Sequence, residues 1–219
     1  MTESIVSLFD LTGEMVKPWA EAGYECHIFD IQHRDSHSLH NNIHTHKIDL
    51  LRQQPIDIKI RMPGISIDEI KFVSCFPPCQ HLAVSGARWF KGKGLRKLAE
   101  SITMFATAVE FCERIGAPYM IENPVSTIST YWRKPDYIFH PWEYSGYNED
   151  DYYTKKTCLW VGNGFIMPPK SIRFSSWHDS NCKPDDRIHK APPSEERANF
   201  RSKTPRGFAK AVFMANAGR

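Results

Sequence analysis

Apolar, strand-like segments alternate with helix-periodic ones through the first half of the chain, and that alternation restricts the fold more than any other feature. The run SIVSLF at residues 4–9 reads as a buried strand, TGEMVKPWAEAG as a turn and helix ending at Gly23, and YECHIFD as a second strand ending in Asp30. A polar, histidine-rich loop follows, and IDEIKFVSCF is the next strand. From Leu95 onward, Leu98, Ile102, Phe105, Val109 and Cys112 recur at helical spacing, with Gly116 and Pro118 as stop signals before the short strand YMIENP. Strands alternating with helices predict an α/β fold, a mostly parallel sheet with helices on both faces.

Ligands of such sheets bind beyond the carboxyl ends of the strands. Polar residues collect at four of those ends: Asp10, Thr12 and Gly13, then Asp30, then Cys79, then Glu122 and Asn123. A single Asp or Gly after a strand is ordinary turn chemistry, but four such ends on one rim are hard to ascribe to packing alone. Cys79 itself admits two readings. In FVSCFPPCQH the prolines Pro77 and Pro78 either punctuate a strand, leaving Cys79 as packing, or fix the backbone so that a sulfur is aimed.

At 219 residues with 41% hydrophobic content the chain can bury a sizeable core, and a single domain over residues 1–219 is the expectation. No apolar run approaches the roughly 20 residues needed to cross a bilayer, and MTESIVSLFDLTG lacks the pattern of a signal peptide. A cytoplasmic protein is expected, its six cysteines thiols rather than bridges. The net charge of +3 is mild but uneven: residues 165–219 hold eleven Lys or Arg against five Asp or Glu. A second basic run comprises Arg88, Lys91, Lys93, Arg96 and Lys97. Such asymmetry suggests a polyanionic partner, with a solvated surface as the plain alternative.

The succession SLFDLTGEMVKPWAEAGY, FDIQ, PPCQ and IENP resembles the cytosine-5 DNA methyltransferases, in particular their short, phage-type members. The resemblance spans Ser7 to about Pro124 and resumes at KKTCLW and RSKTPRGFAKAVFMANA; its specific part is Pro-Cys-Gln followed some forty residues later by Glu-Asn. It implies a Rossmann-like methyltransferase fold, S-adenosylmethionine as cofactor, double-stranded DNA as partner, no obligate protein partner, and residence in a bacterial or phage-infected host cell. Cys79 would be the nucleophile that adds to carbon 6 of cytosine, so that carbon 5 can accept a methyl group. A nearby helix N-terminus or cationic loop would lower its pKa. Glu122 would donate a proton to ring nitrogen 3, its alternative being a buried carboxylate bonded to backbone amides.

For the cofactor the resemblance implies Phe9, Asp10, Leu11, Thr12 and Gly13 as the turn against the methionine part. Asp30 and Ile31 would lie at the ribose, Asp49 of HKIDLL at the adenine unless it caps a helix, and Pro77 beside the nucleophile. The glycine-containing loop of residues 83–97 would close on DNA, since a base must leave the stack to be methylated. Gln80, Ser85, Arg88, Lys91 and Asn123 are its candidate substrate contacts. Two departures stand out. Only about eighty residues separate Pro124 from TPRGFAKA, so the recognition region within about 125–205 is reduced. The family's Gln-x-Arg-x-Arg strand is missing, with Lys155 or Lys156 as stand-in.

Histidines 33, 37, 40, 44 and 46 crowd one segment, and His178, Cys182 and His189 have spacings a zinc ion tolerates, yet neither set has paired Cys-x-x-Cys spacing, and no metal is expected. Two other functions remain open: the same chemistry on RNA or a free cytosine nucleotide, and a non-catalytic nucleic-acid-binding relative.

Overall fold

The structure is a computed structural model that describes residues 3–35, 37–52, 65–172, 183–190 and 201–218. Eight strands form one sheet among the described residues: β1 (Ser4–Leu8), β2 (Glu25–Asp30), β3 (His37–His40), β4 (Ile43–Lys47), β5 (Ile70–Cys75), β6 (Tyr119–Pro124), β7 (Tyr137–Phe139) and β8 (Thr157–Gly162). Their spatial order is β3-β4-β2-β1-β5-β6-β8-β7. The pairings β4–β2, β2–β1, β1–β5 and β5–β6 are parallel, whereas β3–β4, β6–β8 and β8–β7 are antiparallel. The sheet is therefore mixed, with a parallel centre and antiparallel margins.

Alternating side chains of the central strands feed two separate cores. Val6, Leu8, Phe29, Val73, Cys75 and Ile121 face one side, while Ile5, Cys26, Ile28, Phe72 and Met120 face the other. A strand covered on both faces has no polar side, which is why SIVSL is buried along its whole length. The first core is closed by α2 (Phe90–Ile115), through Phe105, Ala108, Phe111 and Cys112. The second is closed by α1 (Lys17–Glu21) and α5 (Arg206–Asn216). Phe208, Ala211 and Val212 of α5 are buried, as their spacing predicts, and Ala215 is half-buried. Two short helices, α3 (Ile128–Tyr131) and α4 (Arg187–Lys190), complete the set.

Trp19 centres the second core. It is fully buried, stacks on Phe72 with centroids 5.2 Å apart, and meets Tyr24 and Phe213 edge-on. Trp19→Ala is expected to cost about 3–5 kcal/mol of unfolding free energy, measurable by denaturant titration, because three packed rings cannot collapse into the void.

Two sequence expectations are corrected. The histidine-rich segment is a β-hairpin rather than a loop: Asn41 and Asn42 both take left-handed φ values (50° and 62°), the conformation of a tight hairpin turn, and β4 then pairs with β2. The basic segment of residues 83–97 is helical rather than a mobile loop. Val84–Trp89 forms a 3-10 helix that runs into α2, and of its three glycines only Gly94 (φ 79°) breaks the helix. The stop at Gly116 is as expected, with a left-handed φ of 76°.

Candidate active site

The strand order turns at β1: the chain leaves β1 for β2 on one side, while β5 and β6 lie on the other. Such a reversal opens a crevice beyond the carboxyl ends of the strands. Phe9 follows β1 with φ 56°, a left-handed conformation costly for a residue with a side chain and typical of functional turns. Asp10 then builds the turn. Its carboxylate accepts hydrogen bonds from the amides of Thr12 (3.0 Å) and Gly13 (2.7 Å) and from the hydroxyl of Ser7 (2.8 Å). The Ser74 hydroxyl donates to Ser7 (2.8 Å), tying the turn to β5. Burial pushes the Asp10 carboxyl above its usual range, against those hydrogen bonds. Gly13 takes φ 65°, and a Cβ there would sit 3.4 Å from the Ile28 side chain.

Asp30 ends β2 on the same rim, buried, with one oxygen accepting from the Gln32 amide (2.7 Å); burial raises its pKa. Ile31 beside it is 55% exposed, and Leu11 completes the turn opposite. Asp49 follows β4 and caps a turn, accepting from the Leu51 amide (3.1 Å) and pairing with Arg52 (3.3 Å).

The Pro-Pro-Cys turn leaves β5 beside this crevice. Pro77 is buried, Pro78 exposed and Cys79 half-buried. The Asn123 side-chain amide donates to the Pro77 carbonyl (2.9 Å), so β6 holds the turn from beneath. The Cys79 carbonyl accepts from the amides of Leu82 (3.0 Å) and Ala83 (2.8 Å), and Val84 donates to Val125 (2.9 Å). The Pro77–Cys79 turn is thus laced to the segment that follows Glu122.

Glu122 is buried, and the Lys155 ammonium lies 3.3 Å from its carboxylate. Lys155 precedes β8, whose antiparallel pairing with β6 brings it back over Glu122. Lys156 points outward. Of the two lysines, Lys155 is the one beside Glu122.

The Cys79 thiol departs from expectation. Its pKa is raised, not lowered: burial is the main cause and the Glu122 charge the second, with Lys155 and Arg201 opposing them. The countercharges come from the far side of the site instead of from the basic segment after the turn. Arg201 was not foreseen; its only signal is the basic context of RSKTPR. Cys75, four residues upstream, is fully buried with its sulfur 3.7 Å from that of Cys112, and the five described cysteines are free thiols.

No protein-family model matches this chain, and no curated protein is significantly similar to it. The carboxyl ends of the strands carry a thiol, a carboxylate and an ammonium together, and a glycine turn with two further carboxylates. Gln80, Ser85, Arg88 and Lys91 are exposed on the adjoining surface, Arg88 lying over the Trp89 ring at 5.1 Å. Some of the C-terminal positive charge is consumed internally: Lys203 and Arg206 pair with Glu14, and Arg187 with Asp185. Among the described residues no helix is long and apolar enough to cross a membrane.

The histidines do not form one cluster. The His33 ring hydrogen-bonds the Asp10 carbonyl (3.1 Å), whereas His44 and His46 stack with His27 of β2. Glu25, His27 and His44 offer ligand atoms within 4.8 Å of one another and could hold a metal ion, at the opposite end of the strands from Asp30. His178 and Cys182 lie outside the described residues, as does the side chain of His189.

Asp151 accepts from the Gly207 amide at the start of α5. Burial raises its pKa from 3.8 to about 6. Folding thus favours the protonated acid, a contribution complete below pH 4 and lost as pH rises through 6. A shift of that size corresponds to about 3 kcal/mol. Wild-type stability should fall by that order between pH 4 and 6 through this group, and Asp151→Asn should remove the decline in thermal or denaturant unfolding. An equal decline in the variant would assign it elsewhere.

Proposed function

We propose that the chain transfers a methyl group from S-adenosylmethionine to carbon 5 of a cytosine flipped out of double-stranded DNA, on a Rossmann-like methyltransferase fold. The observation that carries this reading is the meeting of Cys79, Glu122 and Lys155 at a strand-end crevice, with Asn123 anchoring the nucleophile turn. The glycine turn at Gly13 and the buried Asp30 across the crevice are donor and acceptor types that suit a nucleoside with a charged amino-acid tail.

The Glu122 carboxylate takes the Cys79 thiol proton, the sulfur adds to carbon 6 of the base, and Glu122 passes that proton to nitrogen 3, where the electron pair displaced onto the ring is accommodated. Bound cofactor supplies an electrophilic methyl group to carbon 5. Loss of the carbon 5 proton to water then re-forms the double bond and expels the Cys79 sulfur, while Glu122 takes back the nitrogen 3 proton and returns it to the thiolate. Lys155, 3.3 Å from the Glu122 carboxylate, balances its charge between the proton transfers. Because burial and Glu122 hold Cys79 protonated, deprotonation must accompany substrate entry, and alkaline pH should favour the first step.

Mass analysis of nucleosides after incubation with the methyl donor tests the reading on duplex DNA, RNA and cytidine nucleotides in parallel. The expected product is 5-methyldeoxycytidine from DNA alone. Product from RNA or free nucleotide would move the substrate class, and no product with any of them would leave a non-catalytic binding protein.

A further inference from the structure

Beside the Cys79 turn lies a cavity of about 330 Å³ that the reaction just described does not use. Phe90, Leu98 and Tyr131 form its apolar walls, and Lys91 and Lys93 its rim. The volume is at the small end of ligand pockets, which run from roughly 300 to 1,000 Å³. We propose that it receives one unstacked nucleobase of the substrate strand flanking the target cytosine, with that nucleotide's phosphate on the lysines. The inference rests on the reading that this chain acts on nucleic acid, and adds a sequence-reading subsite to it.

Three observations converge on a base with an anionic tail. The first is charge: of Arg88, Lys91, Lys93, Arg96 and Lys97, only Lys97 is paired with a carboxylate among the described residues, that of Glu100 at 2.8 Å. The second is apolar exposure. At the mouth Tyr131 is 65% exposed and Leu95 84%, beside the Gly94 break that turns this stretch outward. Aromatic faces beside lysines are the recurring platform for single-stranded bases, since every base offers a π face. The third is unmet polarity. His81 Nδ1 and Thr127 Oγ1, both on the cavity lining, are buried without a hydrogen-bond partner, and buried polar groups of that kind call for one. Burial, with Lys93 and Lys97, holds the His81 imidazole below its ordinary pKa, so it presents a neutral edge able to donate or accept.

The cavity is mechanically joined to the nucleophile. Lys93 donates to the carbonyl of Gln80, the residue after Cys79, and the Thr127 amide donates to the Leu82 carbonyl (3.0 Å). A base seated there would load the turn that carries the sulfur. This gives a chain with a reduced recognition region a way to read a neighbour of its target from within the catalytic domain.

The test is fluorescence anisotropy with a short labelled single-stranded DNA, without methyl donor, on the full chain and on Tyr131→Ala and Lys91→Ala. Loss of one stacked base should weaken binding by roughly 5- to 100-fold in Tyr131→Ala. Lys91→Ala should reduce the log–log salt slope by about 0.7, one phosphate's worth on a single strand. Unchanged affinity in Tyr131→Ala overturns the proposal. Cytidine 5′-monophosphate is the second probe: if Tyr131→Ala weakens its binding and leaves strand binding intact, the cavity serves free nucleotides and the assignment to a strand is wrong. A protein that methylates nothing yet shows the Tyr131 effect keeps this subsite and loses the reaction. One that methylates DNA without the effect keeps the reaction and loses the subsite.

Discussion

Cys79→Ser is expected to lower methyl transfer by roughly 10⁴-fold or more, the scale of loss when a covalent nucleophile is removed. A serine hydroxyl is less acidic than a thiol by many orders of magnitude. The surroundings of Cys79 worsen the deficit, because burial and the Glu122 carboxylate both disfavour a negative charge there. Binding of S-adenosylmethionine, read by calorimetry, should survive, since the Gly13 turn and Asp30 belong to other strands. Cys75→Ala is the internal comparison. Its sulfur packs against Cys112 in the first core, so the change should cost about 1–3 kcal/mol of stability and leave transfer intact in the folded protein. Full turnover in Cys79→Ser would remove the sulfur from the chemistry.

Glu122→Gln should lower kcat by roughly 10²- to 10⁴-fold, the usual value of a positioned general acid. The same substitution should have an opposite effect on the thiol. Glu122 raises the Cys79 pKa by its charge, so the neutral glutamine should increase the rate at which Cys79 reacts with iodoacetamide at a fixed pH near 8. Faster alkylation with slower methyl transfer identifies Glu122 as a charged carboxylate beside the sulfur whose proton exchange the transfer needs. A parallel loss of both would mean that the site collapses once Lys155, 3.3 Å away, loses its partner.

The parts of this architecture that sequence reveals are those in which one physical signal dominates. β1, β2, β5 and β6 are buried along nearly their whole length because they are covered on both faces, and Asp10, Asp30, Cys79 and Glu122 come to one rim because parallel strands share a direction. The hairpin of β3 and β4 is hidden by its histidines, whose alternation looks polar until their stacking on His27 and Phe29 is seen. The Asn41–Asn42 pair was its one local sign. In the segment after Cys79 three glycines mimic a loop, whereas packing of Leu98 and Ile102 against the first core outweighs two of them. Long-range partners were not legible at all. Which lysine faces Glu122 depends on the register of β8 on β6, and the approach of Arg201 to Cys79 depends on where the chain returns before α5. Asn123 was expected at the substrate; its bond to the Pro77 carbonyl gives it a second task that no local pattern encodes.

The most direct test of the central claim is covalent trapping. Duplex DNA carrying 5-fluorocytosine at the methylated position should form a denaturation-resistant complex with the wild-type chain when S-adenosylmethionine is present, because fluorine at carbon 5 cannot leave as the proton does. Peptide mapping of that complex is predicted to place the base on Cys79, with no adduct from Cys79→Ser and undiminished adduct from Cys75→Ala. An adduct on Cys75, or wild-type protein that methylates cytosine without ever trapping the fluorinated base, would contradict the account and leave the Pro77–Pro78 turn as scaffold.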